Sequence, residues 1–259
     1  MALMLEQPGF LWPALIAIAL YGLRYLLLAS LGFGLAQGWW GRPIGRVHIP
    51  RPSGAALSPQ LRRELGHSAL TVLIFGVVNA VLFGTGLVRH SRIYLDLHSH
   101  SMAWFATSVV LMLVLHDTFF YWLHRLMHTR ALFARTHLLH HRSIHPTAYA
   151  AYSFSAAEAL GEALIVVAII FIVPQHPLAF LLFQSLSTAY NVYGHCGREL
   201  YPPGMDRHWL GRWLNTASLH AHHHRWGRGN YGLYFTFWDR CMGTLETRPP
   251  DQARGTIAG

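Results

Sequence analysis

The sequence predicts an all-α, polytopic membrane helical bundle: about three spanning helices plus a helical hairpin, under a cap of short helices that carries a histidine-rich dimetal site. Three observations lead there. Hydrophobic residues make up 53% of the 259 residues and charged residues only 12%, against about 25% charged in typical soluble domains. Apolar stretches near the ~20 residues that a bilayer core requires recur at residues 10–36, 66–88 and 102–123. Of the 19 histidines, 14 fall between His116 and His224, in patterned clusters.

The elements follow in order. The first apolar stretch begins after an acidic Glu6, has no basic leading region and lacks a small-residue cleavage site, so it reads as a membrane helix and not a signal peptide. Arg24 inside it is costly and is expected to snorkel or to bury against another helix. Residues 41–60, rich in Pro, Gly and Arg, read as a loop joining two spans. The first three membrane helices thus occupy 10–123, and a histidine-rich segment follows at 124–155. Two apolar segments, 156–173 and 178–190, then flank Pro174-Gln175-His176-Pro177. That reads as a helical hairpin with a tight, proline-bounded turn. A second histidine-rich segment covers 191–247, and 248–259 reads as a disordered tail. No internal repeat interrupts this, so one membrane domain accounts for 1–259.

All 20 basic residues are arginine. Arg42, Arg46, Arg51, Arg62 and Arg63 lie between the first two spans, while only Arg89 and Arg92 lie between the next two, opposed by Asp96. The positive-inside rule puts the first loop in the cytoplasm. Counting spans forward brings His124, His128, His195 and His220 to His224 to the same cytoplasmic face. The net charge of +9 fits anionic lipid headgroups; a nucleic-acid partner would need a soluble basic module, and none is visible. The absence of lysine suggests a GC-rich genome and a bacterial cytoplasmic membrane. Cys196 and Cys241 form no CxxC pattern and read as packed thiols, with Cys196 a candidate to line the site because it follows His195.

The clusters are His124/His128, His137/His140/His141 and His220/His223/His224. Residues three and four apart share a helical face, so each cluster aims two or three imidazoles at a common centre. Eight rings exceed the about four ligands of a single zinc, and the count points to two metals side by side. His48, His67, His90, His98, His100 and His208 are isolated and read as solvated or singly hydrogen-bonded. His222 points off the face shared by its neighbours.

The run Asp117-Thr-Phe-Phe-Tyr-Trp-Leu-His124-Arg-Leu-Met-His128, continued by His137-Leu-Leu-His140-His141-Arg-Ser-Ile-His145-Pro-Thr and Ala150-Ala-Tyr-Ser-Phe, resembles the fatty acid hydroxylase superfamily, which includes sterol desaturases and sterol methyl oxidases. Asn191-Val-Tyr-Gly-His195, His220-Ala-His-His223-His224, Asn230-Tyr-Gly and Phe237-Trp-Asp239-Arg240 are similar to the rest of that family's pattern. The resemblance implies that His124, His128, His137, His140, His141, His195, His220, His223 and His224 ligate a non-haem di-iron centre. Asn191, one turn before His195 where some relatives carry histidine, is a candidate tenth ligand. The chain departs from the pattern at His145, where many relatives have Asn, and at Phe154-Ser155-Ala156, where many have Phe-His-Pro. A metal-bound imidazole normally donates its other N–H to a carboxylate or carbonyl; Asp117, Glu158 and Asp239 are the candidates, with an arginine salt bridge the alternative for Asp239.

The function expected is O2-dependent hydroxylation or desaturation of an unactivated C–H bond in a sterol-like lipid, a fatty acyl chain or a carotenoid. Two iron ions are the expected cofactor, with zinc a possible substitute that cannot change redox state. Phe119, Phe120, Tyr121, Trp122, Tyr149, Tyr152 and Phe154 could wall an apolar tunnel, although packing explains most of them. Electrons are expected from a separate cytoplasmic donor, cytochrome b5-like or a ferredoxin, because no such domain is visible; a basic cap favours an acidic one. A membrane zinc hydrolase is a rival, but no HExxH string occurs. A metal transporter or binding protein is the other, but transport sites lie near the bilayer midplane and these clusters fall just beyond the apolar spans.

Overall fold

Helices α1 (Leu11–Gln37), α2 (Leu57–Gly84) and α3 (Met102–Met127) are each long and apolar enough to cross a bilayer. The computed structural model describes residues 9–38, 46–47 and 57–247. Leu23, Leu27 and Val77 are each 61% exposed, and Val110 is 58% exposed. Water does not tolerate apolar surface on that scale; hydrocarbon does, and the chain is an integral membrane protein. Polar groups are turned inward instead, with Glu64, Ser68, Thr71 and Ser108 fully buried.

α2 starts at Leu57, earlier than its apolar span at residue 66. Residues 57–65 keep helical geometry because their polar groups meet the cap, not lipid: Gln60 donates to the carbonyl of His145, and Ser143 and Thr147 donate to Glu64. Leu57 to Gln60, read from sequence as loop, therefore belong to the helix. Apart from Arg46–Val47, residues 41–56 lie outside the described residues, as does the tail at 248–259. α2 lies very close to α1 at Gly76, where a Cβ would sit 2.4 Å from Cγ1 of Ile18. Small residues at such crossings let membrane helices approach.

Two single-turn helices, α4 (Phe133–Thr136) and α5 (Leu138–His141), follow α3. The hairpin is α6 (Ala156–Ile172) and α7 (Pro177–His195). Ser155 caps α6 by accepting the N–H of Glu158, and Pro177 opens α7, where a missing N–H costs nothing. The far turn is pinned to the loop before α3: Arg92 N donates to Ile170 O at 2.9 Å, Tyr94 N to Gln175 O at 3.1 Å and Trp104 Nε1 to Pro174 O at 3.1 Å. α7 runs past residue 190 and returns to the end of the bundle where α3 finishes, carrying Asn191 and His195 on its last turn.

There the cap is completed by α8 (Ala217–Trp226) and α9 (Phe237–Cys241). A two-residue antiparallel ladder, β1 (Arg46–Val47) with β2 (Arg198–Glu199), ties the α1–α2 connection to the segment after α7. Tyr25, Phe75, Tyr152, Phe154 and Val192 form the larger core under the cap, with Tyr25 stacked on Tyr152 at 4.9 Å. Met112, Ile169 and Phe183 form a second core within α3, α6 and α7.

Candidate metal centre

Four chain segments deliver imidazoles to one end of the bundle. α3 brings His124, with His128 at its C-cap; α5 and the residue before it bring His137, His140 and His141; α7 brings His195; α8 brings His220, His223 and His224. They divide into two groups: His124, His128, His137, His141 and His223 in one, His140, His195, His220 and His224 in the other. Within each group the potential ligand atoms lie within 4.8 Å of one another. Adjacent histidines thus serve different groups, His140 against His141 and His223 against His224. A quarter-turn of helix between neighbours aims consecutive rings in different directions.

The outward ring nitrogens fix the chemistry of the inward ones. Nδ1 of His124 donates to Tyr231 O at 2.9 Å, of His137 to Glu158 Oε1 at 2.6 Å, and of His140 to Ser153 O at 3.3 Å. Nδ1 of His195 donates to Asn191 O and that of His223 to Gly229 O, both at 2.7 Å. With the proton on Nδ1, Nε2 carries a bare lone pair. Two such atoms face each other at 2.9 Å between His124 and His137, and at 3.2 Å between His140 and His195. Neutral rings in that state have no proton to share, so the contact repels unless a cation lies between them. In the second group His195, His220 and His224 have Nε2 atoms 3.1 Å apart in every pairing. Nitrogens bound to one ion at about 2.0–2.1 Å are spaced by about 3 Å. Nε2 of His128 is buried with no hydrogen-bond partner among the described residues. The donor set fits two metal ions, one per group.

Burial, with the neighbouring rings, holds His137, His140, His220, His223 and His224 well below the ordinary histidine range. Burial brings His141 down to about 3 and His128 to about 4. The metal-free rings are neutral at physiological pH, the form a metal requires.

The three acidic candidates divide. Glu158 contacts a histidine, as above. Asp117 and Asp239 do not, and the alternative salt bridge for Asp239 is absent among the described contacts. Asp117 Oδ1 accepts the backbone N–H of Leu233, Tyr234 and Phe235; Asp239 accepts those of Tyr231 and Gly232 and the hydroxyl of Thr244. Both acids fold the 229–235 loop, whose carbonyls hold His223 and His124. Asn230, at φ 53°, turns that loop and binds Leu219 O and Glu246 O through its amide. Asparagine tolerates this left-handed conformation better than most residues. The Asn-Tyr-Gly stretch therefore places two carbonyls, on either side of Asn230, against the imidazoles.

Asn191 differs from the tenth-ligand reading. Its amide nitrogen donates to Ala151 O at 2.7 Å, and its contact with a histidine is through its main-chain carbonyl. His145 and His222 belong to neither group. Cys196 is buried and donates to Arg198 O, outside both groups. Glu64 was invisible as a site residue: it accepts from Ser143 and Thr147, fixing the stretch after His141, and its only signal was an acid beside an apolar span. The carbonyl partners of the rings have no sequence signal, because every residue has one. Of the aromatic residues proposed for a tunnel, none lines the large apolar cavity of about 510 Å³ in the opposite half of the bundle. Tyr121 is packed and bonded to Thr244, and Tyr152 and Phe154 lie in the core.

The fold and this site define a polytopic membrane protein whose histidine clusters fit metal binding. A family model for fatty acid hydroxylase matches residues 109–244, and the chain belongs to that family. It is 26% identical to a Delta(7)-sterol 5(6)-desaturase of Gibberella zeae, over 79% of this chain and 60% of that protein. It is 27% identical to lathosterol oxidase of Homo sapiens, over 78% of this chain and 67% of that protein. A Delta(7)-sterol 5(6)-desaturase of Aspergillus fumigatus is 28% identical over 86% of this chain and 62% of its own length. The chain thus spans about three-fifths to two-thirds of these relatives. No solved structure matches it.

Proposed function

We propose that this protein is an O2-dependent membrane oxidoreductase that hydroxylates or desaturates an unactivated C–H bond of a lipid, with two iron ions held by the nine histidines. The observation that carries the reading is the pair of buried groups in which unprotonated Nε2 atoms face one another. Two ferrous ions there would supply O2 activation and the oxidant for C–H cleavage. The all-imidazole donor set also accepts zinc, which would leave the protein inert in this reaction.

The chain's own residues have three tasks. Tyr231, Gly229, Ser153 and Asn191 carbonyls and the Glu158 carboxylate hold His124, His223, His140, His195 and His137 by Nδ1, so that Nε2 is the ligand atom of those five rings. Burial of the rings keeps water from competing at the centre. The bundle keeps the centre at the membrane edge, next to lipid-borne substrate. The names of the relatives support a sterol-like, fused-ring lipid and removal of two hydrogens. In either outcome one O2 and two electrons enter with two protons: hydroxylation leaves the alcohol and one water, desaturation the alkene and two waters. The electrons would come from a separate donor, cytochrome b5-like or a ferredoxin. Exposed Arg130, Arg207, Arg212, Arg225 and Arg228 on the cap favour an acidic one. The arginine distribution supports a cytoplasmic centre.

Anaerobic reconstitution of the full chain with ferrous iron, followed by O2, reductant and host lipids, tests the reading. Two irons per chain and a lipid product gaining one oxygen or losing two hydrogens are expected. A fully iron-loaded protein that consumes no O2 would overturn it.

A further inference from the structure

The apolar cavity lies between α1, α2, α6 and α7, in the half of the bundle away from the histidines. Its volume of about 510 Å³ is within the ~300–1,000 Å³ of small-molecule sites. Ile16 and Leu20 on α1 and Leu178 and Leu181 on α7 line it and are themselves exposed, so it opens sideways into the bilayer between those two helices. Its walls are otherwise mostly aliphatic and aromatic, with Asn79 the one further amide among them. Its end nearest the histidines is polar, formed by Arg24 and Gln184.

Arg24 is the anomaly. A guanidinium at this depth is costly, and no described carboxylate pairs with it. It donates through Nε to Thr188 at 3.1 Å and through Nη2 to Gln184 at 3.2 Å, and lies 4.7 Å from the centroid of Tyr21. These neutral contacts use two of its five N–H donors and leave the charge without a counter-ion. Thr188 is bonded to the Tyr152 hydroxyl at 2.9 Å; Tyr152 lies against Phe154, and Phe154 lies 5.4 Å from His140, centroid to centroid. The polar end of the cavity is thereby linked to the second histidine group through two aromatic rings, without opening into it.

We propose that the cavity binds a single-chain lipid carboxylic acid, its hydrocarbon in the apolar volume and its carboxylate on Arg24. Two features select this occupant. A planar guanidinium matches a carboxylate in charge and geometry, and it supplies what Arg24 lacks. The apolar walls and lateral opening admit a chain directly from hydrocarbon. A neutral sterol or alcohol would fill the walls but leave the cation uncompensated. The site is separate from the oxidation chemistry, and its test requires no turnover.

Equilibrium binding of radiolabelled palmitic acid, hexadecanol and hexadecyl phosphate to the full-length protein in nanodiscs, with its metals bound and no reductant, decides the matter. Palmitic acid is expected to bind at least tenfold more tightly than hexadecanol and more tightly than the phosphate. Arg24→Gln should erase the acid's advantage while leaving hexadecanol affinity unchanged, which also reports that the variant is folded. Arg24→Lys should keep most of the advantage. Val167→Phe, which fills the cavity, should weaken all three ligands. Equal binding of acid and alcohol to the unaltered protein, a preference that survives Arg24→Gln, or binding indifferent to Val167→Phe would overturn the proposal. Tighter binding of the phosphate would overturn the carboxylate assignment.

Discussion

Glu158→Gln separates the two histidine groups. Glu158 accepts from His137 at 2.6 Å, with both side chains only 3% exposed, so the bond is shielded from water, and a cation on His137 would hold the carboxylate ionised and make the bond charge-assisted. Such bonds contribute about 1.5–3 kcal/mol, and loss of a partner behind a ligating imidazole lowers metal affinity about 10- to 100-fold. Glutamine keeps the shape and an acceptor oxygen but removes the charge. His137 belongs to the first group, while His140 and His195 in the second are held by the carbonyls of Ser153 and Asn191. Chelator titration with metal content read by mass spectrometry should show one ion leaving at about 10- to 100-fold lower chelator than in the unaltered protein, and the other leaving as before. Two ions that weaken together, or neither, would refute the assignment of His137 to its own ion.

Three other outcomes follow from the same geometry. His140→Ala and His141→Ala, although neighbours, should act on different ions: the first leaves three imidazoles in its group and drops metal towards one per chain, the second leaves four and weakens only the other ion. Identical metal loss in both variants would contradict the division. Gly194→Val should deplete the second ion with helical content unchanged in circular dichroism, because even a Cβ at Gly194 would lie 3.3 Å from Cδ2 of His220; a variant that retains both ions would remove that reasoning. The metal-free protein should lose stability on acidification. Its histidines titrate lower when folded, with His128 at about 4 and His141 at about 3. The unfolded chain therefore takes up more protons below about pH 6.5. Stability present above that pH declines as pH falls through the folded values, and thermal melts of metal-free protein at pH 7.5 and 5 should differ in that direction. A flat profile would count against buried, neutral rings.

Much of the architecture was legible in the sequence because its signals are local. Spanning length, proline-bounded turns and the three- and four-residue spacing of histidines all act within one helix, so the apolar spans, the hairpin and the clusters could be read directly. α2 shows the limit: hydropathy marks where hydrocarbon begins, but the polar turns from Leu57 are helical because Gln60 and Glu64 reach partners beyond residue 140. Asp117 and Asp239 show it again. Acidity and spacing suggested imidazole partners, whereas chain packing gives both to the amides of the 229–235 loop.

The sequence by itself determined that this chain enters a membrane and carries an imidazole-rich centre at the end of its helices. Only the tertiary structure decided how the rings divide, because His140 and His141 are one residue apart yet face different partners, His195 and His223, from remote parts of the chain. It also decided which nitrogen of His124, His140, His195 and His223 faces inward, since that depends on main-chain carbonyls that no side chain advertises. Periodicity fixes a face of a helix; what stands opposite that face is a property of the whole fold.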